Sequence, residues 1–513
     1  MTEKNIKQFM TGTWLLSISS LITKILSAVY RVPLQNIVGN RGFFVYQQVY
    51  PLYGICTAIA LTGIPMFVSQ IIAEDQTKQN NNFQHLKVLM IWFSIISFIA
   101  LFGLAPLIAR GMSDLNLTGP IRVLSFFYLI APFEALLRGS FQGELEMRPT
   151  AISQVAEQII RVIIIIAAAI VYQKQHLSVY VMGSWAHGGS VIGGIFSVII
   201  LLYFFRKIHL TGHKTALNYR ILIKRFLTEG LTLSLFSSLL VLYQMVDSFT
   251  IIRFLRNIDS QNIKGIFDRG QPIAQLGIVV AISFATAILP QLSAEQNAQM
   301  KQQQTITQTV HVSLFLAGCS AVGMAALMPT INTLLFKDAS ESNSLAIYVL
   351  AVGFISYAIV INAIMHAQRA YLKNILALIV SLIIKVGLNY FLIPWQGIIG
   401  ASWATLIASM ILAGSMYLNS SKILQNSLVK YKFLLKLLIV VATMGIIVVF
   451  LSYTLNQFWN LNRVTAIFDV LICIPVGVIV ALIVSWKLKL LTTKEWSTIP
   501  GGRLLLTKLG VNK

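Results

Sequence analysis

Blocks of about twenty apolar residues, separated by short polar stretches, run the length of the chain. Twenty residues of helix cover a hydrocarbon core about 30 Å thick. The pattern predicts an all-α integral membrane protein with about fourteen transmembrane helices. They fall over 10–30, 43–72, 86–109, 118–138, 150–172, 177–205, 225–251, 272–293, 308–335, 345–367, 374–393, 396–418, 433–455 and 464–486. Pro51 and Pro65 interrupt the second span and Pro290 lies near the end of the eighth, where each frees a carbonyl and bends the helix.

The first span is not apolar all round. Thr13, Ser17, Ser20, Lys24, Ser27 and Arg31 recur at intervals of four and three, which places them in one stripe down one helix face. A lysine at mid-membrane costs about 2.5–3.5 kcal/mol and normally faces a bundle interior or a wet cavity. Arg31 lies near the expected outer end of this span, so snorkelling to the headgroups competes with a cavity role. Lys24 sits two turns deeper.

Composition sharpens the class. Of 513 residues, 56% are hydrophobic and 11% charged, too few charges to cover a water-facing surface. The net charge of +22 suggests nucleic acid only until the basic residues are located. They lie in short loops between apolar blocks, the arrangement that orients a polytopic protein against an anionic leaflet. About 25 fall on one side and about 10 on the other, which predicts both termini in the cytoplasm. The loop 206–225 is the most basic. The segment 252–271 holds Arg253, Arg256, Lys264 and Arg269 on the other side, so something besides orientation retains those charges. Cys56, Cys319 and Cys473 are scattered and form no metal or disulfide pattern. His209 and His213 share a basic loop with no acid nearby, a poor metal site.

A weak repeat divides the chain. "GSWAHGGSVIGGI" (183–195) is echoed by "GASWATLIASMI" (400–411), and Arg161-Val162 by Lys385-Val386, about 220 residues apart. Two pseudo-symmetric six-helix lobes are expected, 1–215 and 216–425, followed by a C-terminal helix pair and tail, 426–513. Repeated halves put transport substrates at their interface. The Gly and Ala repetition in spans six and twelve reads as close helix packing.

Acids are scarce. Glu134 with Arg138, and Glu157 with Arg161, are spaced four apart and read as self-contained pairs. Lys24, Arg31 and Lys385 have no acid within four residues. The acids expected to steady such cations are Asp247 in span seven and Asp268 at the start of span eight; Asp247 is also a candidate for ion coupling. Cations therefore outnumber acids along the expected cavity. That suits an anionic ligand, and the planar fork of arginine matches phosphate oxygens.

At these residues the chain resembles a known family. "FDRGQPIAQLGIVVAISFATAILPQLS" (267–293) is similar to the eighth-helix signature of MurJ-type lipid II flippases, with Asp268-Arg269 at its start and Leu289-Pro290-Gln291-Leu292-Ser293 at its end. "ITKILSAVYRVPLQNIVGNRGFFVYQQVYPLYG" (22–54) resembles the first two helices of the SpoVB and YtgP branch of polysaccharide exporters, in the multidrug/oligosaccharidyl-lipid/polysaccharide exporter superfamily. The resemblance implies a flippase moving a polyprenyl-diphosphate-linked cell-wall precursor, lipid II first among them, to the outer leaflet of the bacterial cell membrane by alternating access. It implies no enzymatic chemistry and no cofactor; membrane potential, H+ or Na+ are the candidate energy sources. The expected partners are the anionic lipid-linked oligosaccharide, membrane lipids and cell-wall synthesis proteins. The family's cavity cations fall on Lys24, Arg31 and Arg269. Two departures stand out: the first cation is Lys, one residue further from Arg31, and the arginine pair of the second helix is replaced by "YGICTAIA" (53–60). Arg41, Gln47, Gln48, Tyr50 and Lys385 are then the candidates to line the cavity.

Alternatives within the class are flippases for teichoic-acid, capsule or spore-glycan lipids. A multidrug cation antiporter would need acids where this chain has cations. A glycan polymerase would need a positioned acid or base in a large outer loop, and 252–271 offers only Asp259 and Asp268. A scaffold for wall synthesis is the last alternative.

Overall fold

A computed structural model of the chain describes residues 3–74, 79–206, 219–226, 230–255, 259–279, 299–367, 371–420, 425, 431–499 and 502. These residues are almost entirely helical. Eleven stretches among them are long and apolar enough to cross a membrane, so the protein is a multi-pass membrane protein. Expected span eight lies mostly outside the described residues, and the count of fourteen stays an expectation. The loop histidines His209 and His213 also lie outside them.

The chain forms two compact units, Met1–Asp268 and Arg269–Lys513. In the first, α1 (Glu3–Val29) runs into α2 (Arg31–Ala58), followed by a π turn (Ile59–Gly63) and α3 (Ile64–Glu74). The long helices α4 (Gln79–Gly111), α5 (Thr118–Gly143), α6 (Arg148–Gln175) and α7 (Val179–Phe205) come next, then α8 (Tyr219–Arg225), α9 (Leu231–Ser237), α10 (Leu239–Leu255) and α11 (Ser260–Phe267). α5 packs against α3, α4 and α7; α7 packs on α6, and α1 on α6. α2 touches α6, α7, α10 and α11.

The entry into α2 corrects the expected helix boundaries. Gly39 has φ +69° and ψ −178°, a backbone state open to glycine and strained for L side chains, and the helix breaks there. The hydroxyls of Tyr30 and Tyr46 lie 2.6 Å apart, although sixteen residues of straight helix would separate them by about 24 Å. The chain therefore folds back at Gly39. The first crossing extends well past residue 30, and the second begins at about residue 40.

Glycine lets α6 and α7 meet. A Cβ on Gly193 would stand 2.8 Å from the Glu157 carbonyl, so only a hydrogen fits. The packing role expected for this glycine run is what the structure shows.

The second unit comprises α12 (270–279), α13 (Gln299–Ala326), α14 (Met328–Phe336), α15 (Ser342–Ala367), α16 (Tyr371–Gln396), α17 (Ile398–Asn419), α18 (Tyr431–Phe458), α19 (Arg463–Lys487) and α20 (Thr493–Thr498). Here α13 packs on α15, α15 on α17 and α17 on α16. The first unit has the same order of neighbours in α4, α5, α7 and α6. The repeat seen in sequence thus has a counterpart in packing, with Arg161 on α6 and Lys385 on α16 in corresponding places. The C-terminal pair α18 and α19 packs on α13 and α14 around Val440, Met444, Val448 and Cys473.

Candidate functional site

Four arginines, Arg31, Arg138, Arg161 and Arg269, are the largest side chains buried almost completely among the described residues. Burying a guanidinium is costly unless partners replace its water. The partners therefore show what each position is built to hold.

Arg31 and Arg161 share an aromatic cage in the first unit. Tyr46, Tyr50 and Tyr53 are spaced four and three apart and so line one face of α2. The hairpin at Gly39 brings Tyr30 and Arg31 to their depth. The Arg31 guanidinium lies 4.1 Å from the Tyr50 ring centroid, and that of Arg161 lies 3.8 Å from the Tyr53 centroid. Arg161 Nη2 donates to the Tyr46 hydroxyl at 2.8 Å and the Tyr30 hydroxyl at 3.1 Å. His187 of α7 stacks on Tyr46 with ring centroids 4.8 Å apart. The cage holds two positive charges between π faces and phenol oxygens.

This geometry corrects two expectations. Arg31 does not sit at the end of its span and does not snorkel; it is 0% exposed because the crossing continues to the turn at Gly39. Arg161 is not paired with Glu157. Glu157 accepts from Arg138 Nη2 at 2.9 Å, and Arg138 also lies 3.5 Å from Glu134, so one guanidinium serves both acids. Arg161 is the cage residue that the i,i+4 reading missed. The signal that could have found it is the Tyr46, Tyr50, Tyr53 spacing, a built face for a cation.

The polar stripe of the first helix does not act as one surface. Ser27 and Arg31 are buried, Ser20 and Lys24 half-buried, and Ser17 exposed. The side chain of Thr13 lies outside the described residues. Lys24 makes no hydrogen bond or ion pair among the described residues and lies about 10 Å along the helix from Arg31.

A second polar layer joins α2 to α10 and α11. Gln48 Nε2 donates to the Ser248 carbonyl at 2.6 Å, and Gln244 Nε2 to the Gln47 carbonyl at 3.3 Å. Gln47 Nε2 lies 3.4 Å from the Asp268 carbonyl. Asp247 is buried on the same face of α10 as Gln244 and Ser248. Asp268 forms a buried ion pair with Lys264, one turn earlier. Lys264 is thus held by its own acid, which explains one charge that opposed the orientation pattern. Arg41 lies at the exposed edge, donating from Nε to Gln261 Oε1 at 2.9 Å. Gln47 and Gln48 serve here as clasps between helices.

Arg269 opens the second unit. Its Nη2 lies 2.8 Å from Asp338 Oδ2, its Nη1 donates to Asn332 Oδ1 at 3.0 Å, and its guanidinium lies 5.2 Å from the Phe336 ring centroid. The carboxylate at this arginine is therefore Asp338, in the loop between α14 and α15, and not its neighbour Asp268. Partial burial pushes the Asp338 carboxyl up, but hydrogen bonds from Arg269 and the Ser340 amide outweigh it and hold it below the usual carboxylate range. Lys385 Nζ donates to Thr405 Oγ1, tying α16 to α17.

The comparisons agree with this architecture. Residues 9–296 match the family described as polysaccharide biosynthesis protein. The uncharacterized membrane protein YabM of Bacillus subtilis (strain 168) is 32% identical, covering 96% of this chain and 95% of its own. The lipid II flippase MurJ of the same organism is 25% identical over 96% and 98% of the two chains. Stage V sporulation protein B, also from that organism, is 22% identical over 90% and 91%. A solved structure of lipid II flippase MurJ in an inward closed conformation covers 92% of this chain and 99% of that one, with a TM-score of 0.70 at 16% identity. An inward-facing multidrug resistance MATE transporter of the MOP superfamily covers 79% and 96%, with a TM-score of 0.65 at 16% identity. The similar proteins whose names state an activity are transporters, not enzymes. Matched over more than half its length and joined to these relatives nearly end to end, the chain belongs to the polysaccharide biosynthesis protein family, among its MurJ- and SpoVB-like exporters.

Proposed function

We propose that the protein is a flippase of the bacterial cell membrane. It carries a polyprenyl-diphosphate-linked cell-wall precursor, lipid II foremost, from the inner to the outer leaflet. The observation that carries this reading is the cage of Arg31 and Arg161. Arg161 is buried, and among the described residues its partners are phenols, an amide and a ring face, with no acid among them. A diphosphate offers the oxygens such a fork takes, and tyrosine hydroxyls are easily exchanged for them. Arg269, with its half-exposed acid Asp338, is the second cationic contact in this scheme.

The physical task fits the residues. The polyprenyl tail stays in lipid, while the sugar and diphosphate cannot cross hydrocarbon unaided. Binding and alternating access suffice, with no covalent step. Lys24, largely buried nearer the cytoplasmic end, is an early contact, and both termini are cytoplasmic.

Reconstituted protein should move fluorescent lipid II across the bilayer, and the gene should rescue a bacterium depleted of its lipid II flippase. Translocation of a teichoic-acid or capsule lipid but not lipid II would reassign the cargo. Failure to move any polyprenyl-diphosphate lipid would overturn the reading.

A further inference from the structure

We infer that the Glu134–Glu157 pair, on α5 and α6 in the first unit, is a proton-binding site. Its role in transport deepens the flippase reading and rests on it; the binding itself does not. Both carboxyls are buried, 1% and 5% exposed, inside helices long enough to span a membrane. One guanidinium, Arg138, stands between them. It gives Glu157 a hydrogen bond of 2.9 Å, and its remaining contacts are the Ser197 hydroxyl at 2.8 Å and the Ser153 hydroxyl at 3.2 Å. Glu134 is left 3.5 Å from the same nitrogen, and beyond that the Ser197 hydroxyl is the group beside it able to donate.

Charge counting decides the state of this group. Two carboxylates and one guanidinium leave a net negative charge in a dry interior, and an uncompensated charge is the form burial penalises most. A proton on Glu134 removes that charge and leaves Arg138 matched one-to-one with Glu157.

Among the described residues, the groups facing the pair bring no second cation to Glu134. α2 presents Tyr53 and Cys56. α6 adds Arg161 one turn beyond Glu157, committed to the tyrosine cage. α7 contributes the Ser197 hydroxyl. The one ionisable residue of α3 is Glu74 at its end, α4 carries His85, Lys87 and Arg110 toward its ends, and α1, packed on α6, brings Lys24, which makes no ion pair among the described residues. Tyr53 lies between this pair and Arg161, so losing or gaining the proton changes the field at the cage. That is how proton binding would couple to the diphosphate site.

The site is testable without cargo. Infrared difference spectra of the purified protein between neutral and alkaline buffer should show a protonated-carboxyl C=O band in wild type that Glu134→Gln removes. A band unchanged in Glu134→Gln would overturn the inference. Glu157→Gln gives an independent reading should the first variant not fold. It leaves Glu134 alone with Arg138, so the band should again vanish, and its persistence would also overturn the site. In proteoliposomes Glu134→Gln should flatten the pH dependence of lipid II movement. Loss of the band in a protein that moves no lipid would uphold the proton site while sinking the flippase reading.

Discussion

Arg161 lays its guanidinium 3.8 Å from the ring centroid of Tyr53 and leaves Glu157, one turn back on its own helix, to Arg138. The exchange sorts the buried charges between α5, α6 and the start of α2 into two clusters. One is an acid-rich group of Glu134, Glu157 and Arg138. The other is a cation-rich cage of Arg31 and Arg161 walled by tyrosines. Had Arg161 paired locally, the cage would hold a single arginine.

Removing Arg161 should cost transport before it costs the fold. Charge-assisted hydrogen bonds from this guanidinium to a diphosphate would be worth about 1.5–3 kcal/mol each, so Arg161→Ala and Arg31→Ala should each slow lipid II flipping about 10- to 100-fold. Membrane levels should stay near wild type. Tyr53→Leu removes only the ring face and should act in the same direction by about 1–2 kcal/mol. Growth and flipping at wild-type rates with Arg161→Ala would exclude the cage from the substrate path.

The glycine face of α7 gives a structural control. Any side chain at Gly193 meets the Glu157 carbonyl, so Gly193→Leu must push α6 and α7 apart. Overpacking of this kind costs about 1–3 kcal/mol. Gly193→Leu should lower the melting temperature of the detergent-solubilised protein, whereas Gly353→Leu, where a Cβ meets nothing within 4 Å, should not. Equal thermal shifts would show that close approach is not what fixes Gly193.

Helices, glycine packing and the surplus of cations were legible in the sequence because each rests on local spacing. The pairing of the charges was not. Arg161 meets Tyr30 and Tyr46 across 131 and 115 residues, and Arg269 meets Asp338 across 69. Spacing of four offered Glu157 to Arg161, and nothing in the linear pattern says that Arg138 reaches it first. The depth of Arg31 was misread for one reason. The turn at Gly39, a single residue with positive φ in the stretch "IVGNRG", carries the first crossing eight residues further than its hydrophobicity suggests.

The Arg269–Asp338 pair should be insensitive to pH across the physiological range. The folded state depresses the Asp338 carboxyl, so its contribution is present above the ordinary carboxylate value of about 4 and is lost as pH falls through the lower folded value. Asp338→Asn removes the carboxylate at every pH. Because the Asp338 side chain is 42% exposed, the cost should be about 1 kcal/mol, well below that of a fully buried pair. Thermal stability of the variant should therefore run parallel to and below wild type from about pH 5 to 8. Curves that converge within that range would mean that another group controls the pair.

The C-terminal helix α20 is fastened by Glu495. This residue caps its own helix, with Oε2 accepting from the Thr492 amide at 2.6 Å, and its Oε1 meets His311 Nδ1 of α13 at 2.8 Å. His311 in turn stacks on Phe433 of α18 with ring centroids 3.9 Å apart. Burial pushes the Glu495 carboxyl up, but the His311 contact and the Thr492 amide prevail and hold it below the ordinary range, so the fastening persists at neutral pH and fails only in acid. Glu495→Ala removes the cap and the His311 contact together. Lys494 should then be cut by trypsin about ten times faster in the detergent-solubilised protein, because local opening exposes the backbone of α20. Gln at the same position can still accept from Thr492 but offers His311 no charge, and should fall between the two. Identical cleavage rates for all three proteins would show that α20 is held by Trp496 and its apolar neighbours alone.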